Sequence, residues 1–216
     1  DVETVGSFCC DNPIINDLHT KFVRTQRNCL IGVPIDCHQR DERLAWLGDA
    51  HVSAQTAIYN FRMDALYKNW LYDMRLAQNT NNGDMPYIVP RPSKESGTID
   101  WSIAVCLIPL YCYEFYGDIS FFEDNYDTLV RYFNHLLSLS ENYLLPPSKY
   151  GDWASPLADH KRGDPACVAT IYFYWLAKNL EYMAGVLEKK SDKKMYGDIQ
   201  EKIRAACLHK FYNAEE

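Results

Sequence analysis

The sequence predicts an all-α protein built from stacked helical hairpins, and three observations carry that prediction. Seven stretches place apolar residues at helical spacing, one face per turn. No stretch reads as a strand of any length. The connections alternate between short turns and long segments rich in Pro, Gly, Asn and Asp, the pattern that stacked αα-hairpins produce when one rim is elaborated.

The elements follow in order. Asn12-Pro13 reads as an N-cap with proline in the first turn, and Ile15, Leu18, Phe22 and Cys29 mark one face of a first helix ending before Gly32-Val33-Pro34. A charged stretch, residues 36–49, leads to a second helix over 50–61. A third over 63–79 follows almost without a break, so the two are expected to form a tight αα-hairpin. Pro86, Pro90 and Pro92 forbid a regular helix in the twenty residues from Thr80 to Ile99, a connection long enough to suggest function. A fourth helix spans 101–116 with Pro109 as an internal kink, and a fifth spans 124–139. Pro146-Pro147 opens a second long loop, to Gly163. Pro165 then starts a sixth helix that is apolar on nearly all sides and therefore expected inside. Ser191 is the expected cap of a seventh.

Composition excludes several classes. The net charge of -7 and the scattered Lys and Arg leave no basic face for a phosphate backbone, so nucleic acid is an unexpected partner. The densest apolar runs, 103–110 and 171–176, are too short to span a bilayer. The eight cysteines form no C-x-x-C pair of the kind that builds zinc sites. Cys29, Cys106, Cys167 and Cys207 fall in apolar helical patterns and read as small buried hydrophobes, whereas Cys9 and Cys10 could each bridge elsewhere. Neither a nucleotide loop nor H-E-x-x-H nor G-x-S-x-G occurs, so no cofactor or metal is expected. The chain opens Asp-Val-Glu-Thr without an initiator Met or a signal peptide, which suggests a piece of a longer protein and leaves compartment and oligomeric state open. Tyr-Gly-Asp occurs at 116, 150 and 196, but its flanks do not recur, so it marks no repeat.

Chemistry concentrates in the charged stretch. Residues 36–49 hold Asp36, Asp41, Glu42 and Asp49 with Arg40, Arg43 and Trp46, too much charge for a core element. One reading is a surface loop whose charges pair with each other; the other is a site. Trp46, Trp101 and Trp153 each lie in or beside a rim connection, and a shared rim would make one aromatic and acidic pocket. Indoles accept the C–H faces of sugars, Asp and Arg pair with hydroxyls, and glycosidic cleavage needs a carboxylic acid at the leaving oxygen. Cys37-His38 is a poor thiol and base pair, because adjacent residues seldom meet in the required geometry.

The segment Asp-Cys-x-Gln-Arg-Asp-Glu-Arg-Leu-x-Trp-x-Gly-Asp-Ala, residues 36–50, resembles the signature of the α-L-rhamnosidases of glycoside hydrolase family 78. Later features follow in the family's order: Asn60-Phe61, Gly83-x-x-Pro86-x-x-x-Pro90, Trp101 and Tyr150-Gly151-Asp152-Trp153. The resemblance spans nearly the whole chain. It implies an (α/α)6 toroid of the six-hairpin glycosidase type, of which residues 1–216 would be a partial catalytic domain, about seven of twelve helices with the C-terminal ones missing. It also implies an inverting hydrolase acting on a small-molecule or polysaccharide rhamnoside. Glu42 would be the general acid, Asp36, Arg40 and Asp49 would hold sugar hydroxyls, and Trp46, Trp101 and Trp153 would shape the subsite. The general base would lie on a later hairpin, since Glu181, Glu188 and Glu201 sit on ordinary helices. Asp36, Asp41, Asp49 and Trp46 favour the protonated form that an acid catalyst needs, and Arg40 and Arg43 oppose it. His38, Ala45 and Leu47 stand where the family has Pro, Gly and Thr. Ser102-Ile103 replaces Gly-Asp, which removes a carboxylate near the site and bears on sugar identity. Another (α/α)6 glycosidase, or a non-catalytic helical carbohydrate-binding protein, are the competing readings. An incomplete toroid leaves inner helix faces uncovered, so residues 1–216 alone are expected to be poorly soluble.

Overall fold

The computed structural model describes residues 2–90, 97–156 and 162–212. Seven long helices and two single-turn ones follow in order: α1 (Pro13–Asn28), α2 (Leu47–Asn60), α3 (Asp64–Ala77), α4 (Ile99–Ser102), α5 (Ala104–Tyr116), α6 (Ser120–Glu123), α7 (Tyr126–Leu139), α8 (Pro165–Val186) and α9 (Lys190–Phe211). Among the described residues, β-pairing is limited to isolated bridges, so the all-α expectation holds. No described helix is long and apolar enough to cross a membrane. Pro92, one of the expected helix breakers, lies outside the described residues.

Side-chain caps mark two of the described helix starts, α1 and α8. The Asn12 side chain accepts the Ile14 amide at 2.9 Å, with Pro13 in the first turn. Asp164 does the same for Ala166 and Cys167 ahead of Pro165. The expected cap at Ser191 is not one: α9 begins earlier, Lys189 flanks it, and Ser191 is an exposed first-turn residue. The expected fourth helix is split. Helix α4 ends at Ser102 and α5 begins at Ala104, with Ile103 between them still in the αR region, and α5 carries Pro109 inside it.

The core gathers around α5, buried from Ala104 to Leu110, which packs against both α2 and α3. Trp70 of α3 is fully buried and donates its indole N–H to the Val89 carbonyl at 2.7 Å, tying the Pro-rich loop to the core. Gln78 donates to the carbonyls of Gly83 and Thr128, both at 2.9 Å, which fixes the start of that loop against α7. Helices α8 and α9 form the most extensive pair.

Two burial expectations need correction. Helix α1 buries none of its residues, and Ile15, Leu18 and Phe22 are all exposed. It meets the rest through Val23 against the core and through polar contacts, among them His19 with Asn60 at 3.1 Å and Gln26 with the Ser53 carbonyl at 3.3 Å. Helix α8 is interior on one side only: Phe173, Leu176 and Leu180 are buried, whereas Ile171, Trp175 and Tyr182 are exposed. The cysteines also divide differently. Cys37, Cys106 and Cys112 are buried, Cys29, Cys167 and Cys207 are half-buried near helix ends, and all eight, Cys9 and Cys10 included, are free thiols.

Candidate active site

The charged stretch is positioned by short-range pairing with the Pro-rich loop. Leu47 donates to the Tyr87 carbonyl at 2.9 Å and Val89 to the Ala45 carbonyl at 3.1 Å, so residues 45–47 run beside 87–89. This pairing seats Trp46 on Tyr87, stacked at 5.6 Å between ring centroids. Helix α2 begins at Leu47, earlier than the sequence pattern suggests, and places Asp49 in its first turn.

Arg40 organises the acids. Its guanidinium contacts Asp36 Oδ2 at 3.0 Å, Glu42 Oε2 at 2.5 Å and the Cys37 sulfur at 2.9 Å. The Cys37 thiol donates to Asp36 Oδ2 at 2.9 Å. Glu42 receives a second donor on its other oxygen, the indole N–H of Trp46 at 3.0 Å. Asp36 Oδ1 is buried and has no protein donor. Asp36, Cys37 and Glu42 are the one group of metal-ligand type within reach of each other among the described residues, and Arg40 already supplies the positive charge at their centre. His38 turns to the Cys29 sulfur, 3.6 Å from its Nδ1, and not to Cys37, which removes the thiol and base pairing considered from sequence. Asp41 and Glu42 are both exposed, and what separates the adjacent acids is the Arg40 and Trp46 contacts of Glu42.

The three rim tryptophans come together. Trp46 meets Trp101 edge-on at 5.0 Å, and Trp101 meets Trp153 edge-on at 5.9 Å. Tyr150 stacks flat on Trp101 at 3.6 Å, so the aromatic surface is larger than the tryptophans alone. A cleft of about 430 Å³ lies beside it, lined by Asp49, His51, Asp100, Trp101, Asp152 and Trp153 among others. A second, of about 240 Å³, is lined by Asp36, Trp46 and Asp49 together with Gln26 and Phe22 of α1. Asp49 and Val52 border both, so the first turns of α2 stand between them. Glu42 itself borders neither cleft and reaches the site through Trp46 and Arg40.

Desolvation in the cleft raises the Asp49 carboxyl above its usual range, although the residue as a whole is exposed; Asp36 and Glu42 add to the shift, while its own backbone N–H and Arg40 oppose it. His51 is buried, and desolvation lowers its imidazole below the usual value against the pull of Asp100.

Tyr87 and Asp100 are site residues that the motif reading missed. The replacement of Gly-Asp by Ser102-Ile103 does not empty the region of negative charge: Asp100, one residue before Trp101, lines the larger cleft. The available signal was a lone acid beside a run of buried apolar residues.

Comparison with known proteins bears on the family and the fold. The profile of the bacterial alpha-L-rhamnosidase 6 hairpin glycosidase domain matches residues 3–216. The chain belongs to this family. An alpha-L-rhamnosidase of Streptomyces avermitilis is 33% identical over 195 residues, covering 90% of this chain and 18% of that protein. The alpha-L-rhamnosidase structure from Dictyoglumus thermophilum superposes with a TM-score of 0.94 at 36% identity, covering 99% of this chain and 24% of that one. The Streptomyces avermitilis structure complexed with L-rhamnose gives 0.93 at 30% identity, covering 99% and 20%. The chain thus spans about a fifth to a quarter of the length of these family members, and its fold is part of their six-hairpin domain.

Proposed function

We propose that the protein containing this chain is a glycoside hydrolase that removes terminal α-L-rhamnose with inversion, and that this segment supplies the acid side of the mechanism. The observation that carries the reading is the family match over residues 3–216 together with the place of Glu42 beside the aromatic wall, where Arg40 and the Trp46 indole fix its orientation. Family membership supports rhamnose as the sugar, and a relative of this fold is described as complexed with L-rhamnose.

In this reading Glu42 gives its proton to the glycosidic oxygen as the bond to the anomeric carbon breaks. The leaving alcohol departs neutral, and Glu42 remains as a carboxylate facing Arg40. A second carboxylate, supplied by helices beyond residue 216, takes a proton from the water that attacks the opposite face, at a separation of roughly 6.5–9.5 Å from the acid. Asp36, Arg40 and Asp49 hold sugar hydroxyls, while Trp46, Trp101 and Trp153 shape the subsite. Residues 1–216 alone would then lack the base and turn over no substrate.

The test is the full-length protein on an aryl α-L-rhamnoside, with proton NMR recording which anomer appears first. Glu42→Gln should lower turnover by ~10²-fold or more. Undiminished turnover in that variant would remove Glu42 from the role, and no hydrolysis of any α-L-rhamnoside would remove the sugar assignment.

A further inference from the structure

The acid mechanism leaves one buried carboxylate of the cleft without a part. Asp100 is 2% exposed. Its Oδ2 accepts the amides of Tyr150 at 3.0 Å and Gly151 at 2.7 Å, and its Oδ1 accepts the Thr98 hydroxyl. Thr98 Oγ1 in turn accepts the Lys149 amide at 3.1 Å. Three successive backbone N–H groups, 149 to 151, therefore converge on one Thr98–Asp100 pair. Bonds to an ionised acceptor are stronger than neutral ones, and a buried site strengthens them further.

What these bonds hold is the outer aromatic wall. Gly151 and Ala154 both have φ in the left-handed region, +55° and +56°, a conformation alanine adopts only under external restraint. Trp153 between them is 61% exposed, so burial alone does little to restrain it. It sits 5.3 Å from Tyr150 and 5.9 Å from Trp101, with much of its surface left to solvent. The loop's shape thus depends on its amide anchors more than on packing.

We propose that Asp100 is a positioning residue of the sugar cleft: its carboxylate collects the 149–151 amides, seats Tyr150 on Trp101 and sets Trp153 where a sugar ring can lie against it. The inference rests on the proposed sugar site, and it assigns Asp100 no proton transfer and no direct sugar contact. Asparagine is the conservative replacement. Its carbonyl can accept both amides while its NH₂ donates to Thr98 Oγ1, so it preserves the geometry without the charge.

The experiment uses the full-length protein with Asp100→Ala, Asp100→Asn and Thr98→Ala. On aryl α-L-rhamnoside, Asp100→Ala should raise KM about tenfold with kcat changed less than about threefold, because wall contacts act in both ground and transition states. Asp100→Asn should restore KM to within about threefold of wild type, and Thr98→Ala should fall between the two. A ¹⁹F spectrum of 5-fluorotryptophan-labelled protein, assigned by a Trp153→Phe variant, reads the wall without any sugar. The Trp153 resonance should shift or broaden in Asp100→Ala and return in Asp100→Asn. An unmoved Trp153 resonance with unchanged KM would overturn the proposal, even where the melting temperature falls. If Asp100→Ala does not fold, Thr98→Ala decides on the same two readouts. Failure of the wild type to hydrolyse rhamnosides would refute the sugar reading, while the ¹⁹F result still decides whether Asp100 sets the wall.

Discussion

Replacing Gly48 by alanine tests whether the aromatic wall and the first turn of α2 form one close-packed unit. A Cβ at position 48 would stand 2.7 Å from Trp101 Cγ and 2.8 Å from its Cδ1 and Cδ2. Ordinary contact begins near 3.4 Å, so the indole must retreat by about 0.7 Å. It cannot retreat freely, because Tyr150 lies flat on it at 3.6 Å and Trp46 abuts it at 5.0 Å. Gly48 does not have a left-handed φ, so the cost is steric and not conformational. Overpacking of this kind costs about 1–3 kcal/mol, and the better helix propensity of alanine returns up to about 1 kcal/mol. With about 1 kcal/mol returned, the net loss is up to ~2 kcal/mol. Sugar affinity should suffer more, because the displaced indole carries Tyr150 and Trp153 with it. Calorimetry with L-rhamnose on the full-length protein should show at least about tenfold weaker binding. Unchanged affinity, with a Tm within about 1 °C of wild type, would refute the close packing of Gly48 on Trp101.

The other expectations follow from the same residues. Loss of turnover in Glu42→Gln and the KM pattern of the Asp100 and Thr98 variants have been set out with their assays. Because burial lowers the His51 pKa from its usual 6.5, the unfolded chain takes up a proton first as pH falls through that value. Stability should decline from about pH 7 downward until the folded form is protonated as well, and melts of His51→Gln across about pH 5–7.5 should lack that part of the slope. Residues 1–216 produced alone expose Ile14 and Leu18 on α1 and Ile171 and Trp175 on α8, so they should bind an apolar dye and melt broadly. A sharp cooperative melt without dye binding would contradict this.

The helices were legible because each needs only its own period and punctuation. Asn12-Pro13, Asp164-Pro165 and the Gly117 turn act within a few residues. What each face packs against is a property of other segments, which is why the apolar stripe of α1 predicts a helix and says nothing of whether that face is covered. The division between α4 and α5 at Ile103 is likewise tertiary. The Ser102 hydroxyl donates to the Met85 carbonyl at 2.9 Å and the Pro86 carbonyl at 3.0 Å, binding the start of this segment to the loop. In the site, spacing could not separate Glu42 from Asp41. The difference lies in partners and not in exposure, which the two acids share: Glu42 meets Arg40 and Trp46.

Charge and aromaticity in this site are held by separate means that meet at α2. The acids depend on Arg40 and on the pairing of residues 45–47 with 87–89, both at one end of the cleft. The aromatic wall depends on Asp100 and the 149–151 amides at the other. The N-terminus of α2 lies between, where the positive end of the helix dipole favours nearby carboxylates. Trp46 joins both systems, because its N–H holds Glu42 while its ring abuts Trp101. A change at the aromatic end should therefore reach the acid through Trp46 before it reaches Asp36, which Arg40 and Cys37 hold independently.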